Sequence, residues 1–77
     1  MTPGMNLASA PLDTPLTLIR VDASTSRQRL ATFGLREGVS FRLLTRTIGG
    51  GRIVLVGGSR LALSKDLVRQ MRAQAAR

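Results

Sequence analysis

The apolar positions of this 77-residue chain fall into short runs separated by glycine-rich turns. Over residues 16–21, Leu-Thr-Leu-Ile-Arg-Val is rich in β-branched and apolar side chains, with Leu16, Leu18 and Val21 competing for one buried face, and it predicts a first strand. From Val39 the alternation is clearer. Val39, Phe41 and Leu43 point one way and Ser40, Arg42 and Leu44 the other, the period of a half-buried strand. After Gly49, Gly50 and Gly51, the run Ile53-Val54-Leu55-Val56 follows at the spacing of an antiparallel hairpin. Gly57, Gly58 and Ser59 turn the chain again, and Arg60-Leu61-Ala62-Leu63 predicts a further brief strand.

Two helices are expected between and after these strands. Residues 24–34 open with Ser24, Thr25 and Ser26, whose hydroxyls can accept from orphan backbone N–H groups, and close on Gly34, which can take the left-handed conformation past a helix end. Leu30, Phe33 and Leu35 are assigned to the core, Arg27, Gln28 and Thr32 to water. Gly38 ends a tight turn into the next strand. Ser64 is placed to cap a second helix with Asp66 in its first turn and Leu67, Val68 and Met71 as its apolar stripe. The helix-favouring residues 72–77 would continue it to the C-terminus. Residues 1–11, with Pro3, Gly4, Ser9 and Pro11 and no periodicity, read as a flexible lead, so the domain is expected over residues 12–77. The fold class that follows is mainly β: a small, partly open barrel with a short helix after its first strand and a C-terminal helix, with no room for a βαβ series.

Composition removes most chemistry. There is no cysteine, histidine, tryptophan or tyrosine, so a disulfide, a thiolate or imidazole metal site and a histidine-assisted nucleophile all drop out. The four acids, Asp13, Asp22, Glu37 and Asp66, are scattered and make no converging set of hard-cation ligands. Neither glycine cluster is followed by the Lys-Ser/Thr that a phosphate loop requires. No catalytic residue, metal site or cofactor is expected.

The net charge of +8, carried by eleven arginines and Lys65, points to nucleic acid or another anionic partner. The stacking platform of a nucleic-acid-binding barrel is missing, because the only aromatic residues, Phe33 and Phe41, both stand where the core would claim them. The preference for Arg over Lys beside many Ala, Leu and Gly is also the coding bias of a GC-rich genome. The N-terminus has neither the basic nor the apolar region of a signal peptide, and no apolar run approaches the roughly 20 residues that span a bilayer. A cytoplasmic protein is expected, without direct membrane insertion.

The stretch Arg29-Leu30-Ala31-Thr32-Phe33-Gly34-Leu35-Arg36-Glu37-Gly38 resembles the signature of the FeoA family (ferrous iron transport protein A): a basic helix with an Arg-Leu pair, then a Gly-Leu-x-x-Gly turn into the central hairpin. Gly58-Ser59-Arg60-Leu61-Ala62-Leu63-Ser64-Lys65-Asp66-Leu67 is similar to that family's closing segment, and the likeness spans residues 12–71. It implies an SH3-like barrel and a non-enzymatic accessory role in ferrous iron uptake, docked on the cytosolic G-protein region of an FeoB transporter. Arg27, Arg29, Arg36 and Arg60 are the expected partner-binding residues, because exposed charge steers association with an acidic partner. The alternatives are a basic nucleic-acid-binding barrel and the SH3-like domain of an iron-dependent repressor. A free-standing chain of 77 residues favours FeoA. Two departures stand out: Gly50-Gly51 where the family often has Gly-Pro, and helix-favouring residues 72–77 where it has a β-rich strand. The second implies a barrel without its closing strand, whose free edge would serve homo-association or strand addition.

Overall fold

The computed structural model describes residues 4–76. Six strands form one antiparallel sheet: β1 (Met5–Asn6), β2 (Pro15–Val21), β3 (Ser40–Arg46), β4 (Arg52–Val56), β5 (Ser59–Leu63) and β6 (Met71–Ala75), in the spatial order β1-β6-β2-β3-β4-β5. Helix α1 (Ser24–Thr32) follows β2, and α2 (Lys65–Arg69) links β5 to β6. The sheet curls around a core of Leu16, Leu18, Val21, Phe41, Leu43, Val54, Leu63, Val68 and Met71 without closing, since β1 and β5 do not pair. This is the mainly β, partly open barrel expected from the pattern.

The strands obey the alternation that predicted them. Phe41 and Leu43 are buried in β3 while Ser40 and Arg42 are exposed. In β2 the buried set is Leu16, Leu18 and then Val21. The phase slips by one because a bulge interrupts pairing with β6 between Leu18 and Arg20, so Ile19 and Arg20 together occupy one step of the ladder.

Three expectations are corrected. The C-terminal helix stops at Arg69, and residues 71–75 form β6, pairing with β2 on one side and β1 on the other. The family's last strand is present, and the edge that its loss would have freed does not exist. Met71 and Ala73 alternate with Arg72 and Gln74, and both are fully buried. The helix preference of these residues amounts to a few tenths of a kcal/mol each, about 2 kcal/mol over the segment, which two ladders of backbone bonds and two buried side chains outweigh.

The second correction is at the start. Met5 and Asn6 pair with Ala73 and Arg72, and a 3-10 turn at Leu7–Ser9 sends Leu7 into the core with no exposed surface. Asn6 fixes this turn: its carboxamide oxygen accepts from the Ala8 N–H at 2.9 Å, and its NH2 donates to the Arg69 carbonyl at 2.8 Å, tying it to the end of α2. The domain thus includes residues from Met5, not from Leu12. For residues 1–3 the flexible lead lies outside the described residues, as does Arg77 of the expected helix.

Third, Phe33 is not in the core. Helix α1 ends at Thr32, Phe33 is its cap, and Gly34 follows at φ 89°. That left-handed turn, which glycine adopts without a Cβ penalty, carries the chain round so that Leu35 is buried, while Phe33 is left 55% exposed. At the other end the N-cap is Ala23, and no hydroxyl side chain caps the helix. Ser64 does cap α2, accepting from the Leu67 N–H at 3.3 Å.

Candidate functional site

Where α1, β5 and the start of α2 come together they leave a groove of about 320 Å³, lined by Arg29, Leu30, Phe33, Leu61, Leu63 and Leu67 with Ala62 and Ser64. Each wall follows from a local feature. The glycine turn after α1 strands Phe33 on the rim. Leu61 and Leu67 are only partly buried, packing on the core from below while facing the groove from above. The Ser64 cap starts α2 at the height that presents Leu67. Among the described residues Phe33 and Ile48 are the exposed large apolar side chains, and Ile48 stands alone at the β3–β4 turn.

The four expected contact arginines do not form one patch. Arg29 lines the groove, and Arg60 is exposed on β5, the strand beneath it. Arg27 belongs to a different hollow, of about 350 Å³, with Ile19, Arg20, Val21, Asp22 and Glu37. Charges of both signs share that hollow, and Arg20 Nε already reaches Asp22 Oδ1 at 3.1 Å. Arg36 is exposed in the turn before β3 and lines neither.

Residue reasoning missed Leu61 and Leu67 as part of a surface, and placed Phe33 on the wrong side of it. The signal for Phe33 was present: three positions after Leu30 it would share that residue's face only if the helix continued, and Gly34 says that it does not. Reasoning also missed Arg52, which is 7% exposed. Its Nη1 donates to the carbonyls of Gly50 and Gly51, both at 2.9 Å, and its Nη2 to the Ala8 carbonyl at 3.0 Å. The guanidinium thereby joins the β3–β4 hairpin to the 3-10 turn across the gap that the strands leave open. The period-two phase of Arg52, Val54 and Val56 was the available clue. Among the described residues no three of His, Cys, Asp or Glu are grouped to hold a metal ion, and no helix is long and apolar enough to cross a membrane.

A curled six-stranded sheet with one short helix inserted after β2 and another before β6 defines a small SH3-like domain with an apolar groove between α1, β5 and α2. The sequence matches the FeoA domain family over residues 5–75, and the chain belongs to that family. Solved structures agree on the fold. A crystal structure of an iron uptake regulatory protein (FeoA) is 23% identical, with a TM-score of 0.81 over 97% of this chain and 100% of that one. The FeoA protein of Chlorobium tepidum is 20% identical, with a TM-score of 0.84 over 95% of this chain and 71% of that one. ScaR with bound Zn2+ is 20% identical and has a TM-score of 0.85; it covers 99% of this chain, which spans 39% of ScaR. No curated protein matches the sequence.

Proposed function

We propose that this FeoA-family chain is a non-enzymatic adaptor of ferrous iron uptake, and that it docks through the α1–β5–α2 groove on the cytosolic G-protein region of an FeoB-type transporter. The observation that carries the reading is Phe33, 55% exposed beside the half-buried Leu61 and Leu67 with Arg29 at the rim. An aromatic side chain held out of a small core beside a basic one is the composition of an interface anchor. Family membership supplies the iron-uptake context. Such a protein works in the cytoplasm and reaches the inner membrane only through its partner.

Calorimetric titration of the folded chain with the FeoB cytosolic region tests this. Saturable binding is expected, and its absence in a chain shown to be folded sinks the reading. A second reading, an SH3-like accessory domain of the metal-dependent repressor kind, is favoured by the fit to a manganese-dependent transcriptional repressor over 99% of this chain. It predicts affinity for a repressor's other domains in place of FeoB. Nucleic-acid binding finds less support: with Phe41 buried, Phe33 is the single aromatic side chain exposed for stacking, and Arg27, Arg29 and Arg36 do not share one hollow.

A further inference from the structure

The register of β4 and β5 determines which backbone groups of β5 are free. Only Gly57 and Gly58 join the two strands, both at positive φ (55° and 83°), and Val56 pairs with Ser59 across them. In such a two-residue hairpin the flanking pair exchanges both hydrogen bonds, and bonded and non-bonded pairs then alternate along the ladder. Leu61 and Leu63, opposite Val54 and Arg52, therefore direct their N–H and C=O groups at β4. Those of Arg60 and Ala62 point away from it. β5 is the last strand in the sheet order, so no strand among the described residues pairs with that side, and Arg60 and Ala62 are both exposed. Neither a proline nor a bulge blunts this edge. Leu61, Ala62 and Leu63 are also groove-lining residues, so the free edge runs along the floor of the groove, between Phe33 of one wall and Leu67 of the other.

We infer that the groove receives an extended, acidic segment of a protein partner, which adds to β5 as a further strand. This rests on the groove being the docking site proposed above, and specifies how a partner is read. Arg60 and Ala62 supply main-chain donors and acceptors, and the groove takes alternate side chains of the incoming strand. The partner residue opposite Leu61 is apolar and enters between Phe33 and Leu67. Its neighbour opposite Arg60 lies on the outer face and carries a carboxylate. Charge selects the partner: Arg29 lines the groove and Arg60 is exposed on the strand that forms its floor, in a chain with net charge +8, so an acidic strand is drawn in, whereas a second copy of this chain would meet equal like charge.

The test uses the whole isotope-labelled chain and two probes, a short end-capped peptide of alternating glutamate and leucine, and the FeoB cytosolic region. With the peptide, the Arg60 and Ala62 amides are expected to shift and to slow in hydrogen exchange by at least about tenfold, while Leu61 and Leu63 amides, already in the ladder, change little. Ala62→Pro removes an N–H that no internal acceptor uses, and is expected to weaken both probes by about tenfold or more. An unchanged Arg60 and Ala62 exchange with both probes overturns the inference even if FeoB binds elsewhere. Protection by the peptide with no FeoB binding keeps strand addition and removes the transporter reading.

Discussion

Arg52 and Phe33 are residues whose chemistry and location conflict. A guanidinium with three carbonyl partners and an Nε without one is buried where the strand's alternation calls for an apolar side chain. Because its partners come from the hairpin and from Ala8, it holds two parts of the chain that no strand pairing joins. Arg52→Ala is expected to cost about 2–4 kcal/mol, by the loss of charge-assisted bonds and the stranding of buried carbonyls, measured by urea denaturation. Arg52→Lys should recover less than half of that, since an ammonium has no planar fork to span the same carbonyls. Phe33 should behave in the opposite way. With more than half its surface in water, Phe33→Ser is expected to change stability by no more than about 0.5 kcal/mol and yet weaken FeoB binding by about tenfold or more in the calorimetric titration. A stability loss of several kcal/mol would place Phe33 in the core after all.

At the scale of elements, the two ends of the chain support each other. β6 lies between β1 and β2, and the Asn6 side chain bridges to the end of α2 just before β6 begins. Ending the chain at Gln70 should therefore abolish cooperative unfolding, because it removes Met71 and Ala73 from the core and leaves β1 and β2 each without a neighbour on that side. Circular dichroism through a thermal scan reads this directly. Leu7→Ala in the supposed lead should cost about 2–4 kcal/mol, seen as a fall of at least about 10 °C in Tm, where a flexible segment would show none. Both ends misled sequence reasoning for related reasons. Two residues of strand are too short to show alternation, and residues 71–75 suit helix and strand periods alike until a neighbouring strand is supplied.

Across the whole molecule the dominant property is charge. With Arg20–Asp22 and Arg42–Asp13 as exposed pairs, most of the positive excess is free to act at a distance. Association with an acidic partner should slow by about tenfold between low and high salt while dissociation changes far less, as stopped-flow mixing would show. A labelled oligonucleotide at physiological salt should bind no tighter than about 1 μM, the level of contacts to phosphate alone.

The hydrophobic pattern and the turn residues by themselves determined the central strands, their hairpins and where both helices begin, because period, turn glycines and residue types are local properties. The Arg29–Gly38 and Gly58–Leu67 segments carried the family likeness for the same reason. Only the tertiary structure decided that residues 71–75 are a strand and that Met5 to Leu7 belong to the domain, since both depend on partners far away in the chain, Met5 on Ala73 and Leu16 on Ala75. It also decided the groove. Its walls come from α1, β5 and α2, and no local pattern states that Phe33, Leu61 and Leu67 meet beside a free strand edge.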